Sequence, residues 1–399
     1  MARRKLPFII KRYQLVTARV FLELMMSDNR RLMRIVIKVG TSTLTAGGKQ
    51  LCLSRMVDLV RQIHNLKEAG NEIVLVSSGG IAAGREIMGY PDLAHFLPAK
   101  QMLAAVGQPR LMAVYKQLFS LYQQEIAQVL LTRDDLMDRR RYLNARNTLE
   151  ALLAYGIVPV INENDTIATE EIRFGDNDTL SALVTTVLEA DYLLLLTDQD
   201  GVFTSDPVED PRAELVKHIE DEVIPDEILM AASGSRGELG TGGMASKLQA
   251  AQLARRSGAA VIIANGAADN VLTRLILESE SLGTYFSPLG SHLESRKRFL
   301  LAGITDATGR LFIDEGAAAA LRKGGSLLPV GIVRTEGQFS RGQSVIIVDL
   351  ENNPVAVGLC NYGVADVDQI SGQQSDQIES LLGYAYGSEV VHHNNLVLL

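Results

Sequence analysis

Gly175-Asp176-Asn177-Asp178-Thr179-Leu180-Ser181, a short helical stretch, and then Tyr192-Leu193-Leu194-Leu195-Leu196-Thr197-Asp198 place carboxylates and an amide just ahead of an apolar strand. An apolar run with no polar alternation reads as a strand buried on both faces. Sheets built from such strands hold small charged ligands at the strand ends. Taken alone, the Asp-Asn-Asp cluster has a plainer reading as helix-capping side chains that accept from the first free backbone N–H groups. A second cluster argues otherwise. Asn162-Glu163-Asn164-Asp165 follows the apolar run Ile157-Val158-Pro159-Val160-Ile161 and sits at a strand end of its own. Two such ends point to one site.

On both sides of these stretches the chain alternates β and α from Arg34 onward. Ile35-Val36-Ile37 reads as a buried strand, residues 54–69 as a helix with Ser54 as its cap and Gly70 as its stop, and Ile73-Val74-Leu75-Val76 as a second strand. Helical patterns over 99–124 and 142–154, strands at 127–131, 157–161 and 192–196, a helix after Gly243 and the strand Val261-Ile262-Ile263-Ala264 continue the cycle. The expected fold class is α/β, a three-layer αβα sandwich around a mainly parallel sheet, over residues 34–290. Past Ser287-Pro288-Leu289-Gly290 the character changes. Residues 291–305 read as a charged linker, and 306–399 as a small barrel-like β module with a tail, carrying Gly-punctuated strands such as Val345-Ile346-Ile347-Val348 and one helix near 315–323.

A chain of 399 residues suits two or three domains. No apolar run approaches the ~20 residues needed to cross a bilayer, which argues against a membrane protein. Cys52 and Cys360 stand far apart and suggest neither a disulfide framework nor a metal pair, in keeping with a reducing cytoplasm. The net charge of -8 is unevenly spread: residues 1–34 hold nine Lys/Arg and two acids, leaving 30 basic against 45 acidic residues in the rest. An acidic body argues against nucleic acid as the main partner, because backbone binding needs Lys and Arg to neutralise phosphates. The basic head, residues 1–33, has no secretory core or cleavage site and reads as a disordered extension or as the product of a misassigned start, with Met26 as the expected true start.

Three segments carry phosphate-type chemistry. Lys38-Val39-Gly40-Thr41-Ser42 puts a lysine at the carboxyl end of a buried strand, where it needs a negative partner. Ser77-Ser78-Gly79-Gly80-Ile81 ends the next strand with small residues that admit a close-lying anion. Gly240-Thr241-Gly242-Gly243-Met244-Ala245-Ser246-Lys247 adds amide donors and a second lysine at a helix start. Each has a bland alternative: Lys38 pairing with a core acid, Gly242-Gly243 as a simple turn. Together, two lysines and several amide nests describe a polyphosphate site. The chain has neither a Gly-x-x-x-x-Gly-Lys-Ser/Thr loop nor the protein-kinase signature set. His392-His393 reads as part of a surface tail.

In this order, and joined by Val160-Ile161-Asn162-Glu163-Asn164-Asp165 and Leu196-Thr197-Asp198, these motifs resemble the amino-acid kinase family from about Ile35 to the C-terminus, and within it the members that carry a C-terminal PUA domain. The resemblance implies ATP-dependent phosphorylation of the side-chain carboxylate of L-glutamate, the first step toward proline. It implies Lys38 and Lys247 as charge-stabilising catalytic residues held by Asp178, and Ser78, Asp165 and Asn177 as glutamate ligands, with Asp165 taking the ammonium and the others the oxygens. Lys38, Thr197, Asp198, Thr241, Gly242, Gly243, Met244, Ala245, Ser246 and Lys247 would hold ATP, with Mg2+ carried on its phosphates rather than by a dedicated protein site. A homo-oligomer (dimer or tetramer) and feedback by proline are implied as well. Aspartate, N-acetylglutamate and UMP kinases of the same family are the nearest alternatives, and Asp165 argues against an acetylated amine. An RNA-binding or RNA-modifying protein is the alternative of another class, since PUA domains occur in such proteins. Five basic against eleven acidic residues in 299–399 weaken it.

Overall fold

The computed structural model describes residues 32–91, 97–168, 176–207, 209–233, 243–291, 307 and 309–399. The basic head before Leu32, the linker from 292 to 306, and Thr241 and Gly242 of the third glycine-rich segment lie outside the described residues.

Six parallel strands form most of an eight-stranded sheet: in spatial order β3 (Ile126–Leu131), β4 (Val158–Glu163), β2 (Glu72–Ser77), β1 (Arg34–Val39), β5 (Tyr192–Thr197) and β7 (Ala260–Asn265). Two short strands complete the edge. β8 (Thr284–Phe286) runs antiparallel to β7, and β6 (His218–Ile219) pairs parallel with β8. The helices that matter for the site are α1 (Leu53–Glu68), α2 (Gly80–Ile87), α3 (Leu97–Ser120), α4 (Arg139–Ala154), α5 (Asp176–Val187) and α6 (Met244–Arg256). α1 begins one residue ahead of expectation, so Ser54 lies in its first turn and Cys52 holds the cap position without a side-chain cap bond.

The sheet is buried on both faces, for the reason its apolar runs suggest. Val36, Val74, Val76, Leu193, Leu195, Val261 and Ile263 face a core shared with Leu149 of α4, Leu180 and Val184 of α5 and Leu248 and Ala251 of α6. The alternate residues Ile35, Ile37, Ile73, Leu75 and Leu194 are equally buried on the other side. At each strand such burial contributes about 25 cal/mol per Å2 of apolar surface removed from water.

A second sheet of five strands, in the order β10 (Ile332–Gly337), β9 (Gly309–Ile313), β11 (Ser344–Val348), β12 (Pro354–Leu359) and β13 (Leu396–Leu398), closes around its own core of Leu311, Val345, Ile347, Cys360 and Tyr362. It carries the helix α7 (Glu315–Arg322), capped by Asp314 through Ala317 N–H. The C-terminal residues are not a tail. β13 pairs with β12, and His392 is half-buried beside it, because Val390-Val391 and Leu396-Val397 are apolar enough to be held in the module.

The two sheets meet at α4. Leu143 of α4 packs on Val357, Leu359 and Val397, and Arg146 donates to Asn395 Oδ1 at 2.8 Å and pairs with Glu189 at 3.3 Å. Leu143→Ala is therefore expected to cost about 2–5 kcal/mol, the range for emptying a fully buried leucine site. A urea midpoint equal to that of the wild type would show that the seam gives way without loss.

Candidate active site

At the carboxyl edge of the large sheet the chain reverses its direction of travel: from β1 it moves through α1 to β2 on one side, and β5 leads on to β7 on the other. A crevice at such a switch point is where open α/β sheets bind ligands. Lys38 is the penultimate residue of β1, and α5 brings Asp178 against it. α6, entered through Gly243 in extended conformation, brings Ser246 and Lys247.

Lys38, Asp178 and Lys247 are 4%, 1% and 5% exposed. Lys38 Nζ lies 2.6 Å from Asp178 Oδ1 and Lys247 Nζ 3.4 Å from Oδ2, to which Ser246 Oγ also donates at 2.6 Å. Burial is the largest influence on the Asp178 carboxyl and opposes its ionisation. The two lysine charges and the hydrogen bonds outweigh it and hold the group below the usual carboxylate range. Lys247 is shifted the other way. Burial, helped by the Lys38 charge, lowers its affinity for a proton despite Asp178. Two ammonium groups against one carboxylate give the buried cluster a net positive charge, which suits the phosphates of an anionic ligand. Thr197 ends β5 with its Oγ1 3.1 Å from Asp198 Oδ1, and Asp198 is exposed on the following turn. Gly243, Met244 and Ala245 form the start of α6, as expected; Thr241 and Gly242 cannot be placed beside them because they fall outside the described residues.

The second half of the site is a network of amides. Ser78 N–H donates to Val39 O at 3.0 Å, tying the end of β2 to that of β1, and Gly79 turns into α2 at φ 105, a left-handed conformation that favours glycine. Asn177, next to Asp178 on the first turn of α5, donates through Nδ2 to Ser78 Oγ at 3.1 Å and to Asn162 Oδ1 at 3.0 Å. Asn162 in turn donates to Gln108 Oε1 at 2.7 Å. Asp165 stands on the turn after β4, whose backbone is closed by Ile167 N–H to Asn164 O.

Of these residues Gln108 was not singled out from the sequence. It reaches the site because α2 and α3 cross at backbone contact: a Cβ on Gly107 would lie 1.8 Å from Gly80 O, and one on Gly84 would lie 2.0 Å from Leu103 O. The available signal was Gly107-Gln108-Pro109, a polar residue between two helix-weakening ones in the middle of a long helix.

The profile described as "Amino acid kinase family" matches residues 33–265, and that of the PUA domain matches 309–382. The protein of Shewanella sediminis (strain HAW-EB3) named glutamate 5-kinase is 51% identical over 368 residues, covering 92% of this chain and 98% of its own. Proteins of the same name from Shewanella amazonensis (strain ATCC BAA-1098 / SB2B) and Vibrio vulnificus (strain YJ016) are 52% and 50% identical, each covering 92% of this chain and 96% of its own. With the profile spanning more than half of the residues and the buried Lys–Asp–Lys cluster lying inside the matched stretch, the chain belongs to the amino acid kinase family.

Proposed function

We propose that the enzyme transfers the γ-phosphoryl group of ATP to the side-chain carboxylate of L-glutamate, giving L-glutamyl 5-phosphate for proline synthesis in the cytoplasm. The observation that carries this reading is the adjacency of Asn177 and Asp178. One residue joins the amide network and the next holds both buried lysines, so an amino-acid subsite and a phosphate subsite meet across a single peptide of α5. The glutamate named in the relatives at about half identity supplies the acceptor.

In the reaction a carboxylate oxygen of glutamate forms a bond to Pγ while the bond from Pγ to the bridging oxygen of ADP breaks. Donor and acceptor are both anions, so the protein contributes positioning and charge. Lys38 and Lys247 stabilise the charge spreading over the transferred group. Asp178 orients them without touching the reacting atoms. Ser246 supports Asp178, and the start of α6 with Thr197 and Asp198 holds the nucleotide; Thr241 and Gly242 are assigned there by the resemblance. Among the described residues no group of three His, Cys, Asp or Glu side chains could cage a metal. A Mg2+ carried on the ATP phosphates would neutralise part of their charge. No helix among the described residues is long and apolar enough to cross a membrane.

An ATP-dependent hydroxamate assay across L-glutamate, aspartate and N-acetylglutamate tests the reading. Turnover of glutamate well above the others is expected, because a shorter or acylated substrate leaves polar groups of the site unpaired. Equal turnover of aspartate would overturn it. Asp165→Ala and Asn177→Ala are each expected to raise the glutamate KM about tenfold or more, the loss of one hydrogen bond to a charged group, while the ATP KM stays near that of the wild type. A collapse of ATP affinity instead would mean that the two subsites are exchanged. Assembly as a dimer or tetramer and inhibition by proline belong to the same proposal, checked by sedimentation and by titrating proline into the assay.

A further inference from the structure

The amide network has a polarity that the backbone sets. Glu163 N–H donates to Asn162 Oδ1 at 2.9 Å, and since a backbone N–H can only donate, this identifies which end of the Asn162 amide is oxygen. Asn162 Nδ2 must then donate to Gln108 Oε1, and Asn177 must turn its Nδ2 toward Asn162 Oδ1 and Ser78 Oγ. Every amide along the chain is thereby oriented. At its two ends one donor and one acceptor remain: Gln108 Nε2 and Asn177 Oδ1, both buried and both without a hydrogen-bond partner among the described residues. Gln108 is nine-tenths buried, and an unmet buried donor is costly unless a ligand or water meets it.

We propose that Gln108 is a substrate-binding residue that reads the α-carboxylate of the amino acid. Gln108 Nε2 donates to a carboxylate oxygen, and Asn177 Oδ1 accepts from the α-ammonium. An α-amino acid carries an acceptor and a donor on one carbon, and the network offers their complements with Asn162 alone between them. Both N–H groups of Asn177 are spent on Ser78 and Asn162, so Asn177 meets the ammonium rather than an oxygen. The inference rests on the reading of the enzyme as an amino-acid kinase acting on glutamate.

The test uses full-length Gln108→Leu and Gln108→Glu in the hydroxamate assay, with L-glutamate and with 4-aminobutyrate, which keeps the phosphorylated carboxylate and lacks the α-carboxylate. 4-Aminobutyrate is followed as a substrate or as a competitive inhibitor. Gln108→Leu is expected to raise the glutamate KM about tenfold or more, the effect of one lost bond to a charged group, with the ATP KM unchanged. It should also narrow the preference for glutamate over 4-aminobutyrate by the same factor. Gln108→Glu retains the acceptor for Asn162 and sets a carboxylate against the substrate's own, so its glutamate KM should rise further. It carries the test should the leucine variant fail to fold. An unchanged glutamate KM in Gln108→Glu, or equal losses for both ligands, would confine Gln108 to propping Asn162 and overturn the proposal alone. Failure of the wild type to turn over glutamate would remove the functional reading and this inference with it.

Discussion

Asp178→Asn is expected to lower stability by about 3–5 kcal/mol, the range for removing one partner from a buried ion pair, and to reduce turnover at least about a hundredfold. The carboxylate is 1% exposed and lies between two ammonium groups that are themselves buried. An amide of the same shape leaves their charges uncompensated. The loss has a pH signature. Because the lysines hold the folded pKa of Asp178 below its unfolded value, its stabilising contribution is complete above the ordinary aspartate pKa of about 3.9 and disappears as pH falls through the lower folded value. Urea midpoints of wild type and variant should converge on the acid side and stand apart at neutral pH. ATP should raise the variant's midpoint more than the wild type's, since phosphate oxygens can take the place of the missing carboxylate. A variant as stable as the wild type at neutral pH would show that the two lysines need no internal counter-charge.

Replacing Lys247 separates function from stability. Lys38→Met and Lys247→Met are each expected to reduce turnover about a hundredfold or more, by analogy with loss of a preorganised donor at developing charge. For Lys247 the folded pKa is depressed, chiefly by burial and then by the Lys38 charge. Folding therefore disfavours its cation at neutral pH, and stability owed to this group rises with pH between the folded and unfolded values. Lys247→Met should consequently melt at or above the wild-type temperature while being nearly inactive. In the wild type, activity that needs the Lys247 cation is present below the folded pKa and lost above it, so the alkaline limb of kcat/KM should fall below the ordinary lysine range near about 10.4. Lys247→Arg, which stays charged, should move that limb upward. Near-normal turnover in Lys247→Met would reduce this lysine to a structural counter-ion of Asp178.

The strand-end clusters were legible because they are local: Lys38 closes an apolar run, Asn162-Glu163 closes another, and Asn177-Asp178 opens a helix. β6 and β8 were not, since two or three residues carry too little periodicity to mark a strand, and their pairing comes from β7 presenting an edge. Period and composition alone set the layered α/β order, the separate C-terminal β module and the residue types of the site, because burial on both faces and the need of a buried charge for a partner are properties of short stretches. Three matters waited for the tertiary structure: how deeply the Lys38–Asp178–Lys247 cluster is buried and which carboxylate oxygen each lysine takes, the docking of the C-terminal module on Leu143 and Arg146, and the arrival of Gln108 through contact between Gly84 and Gly107. Each joins residues dozens to hundreds of positions apart, and such contacts depend on how helices pack across the sheet, a geometry that no local pattern records.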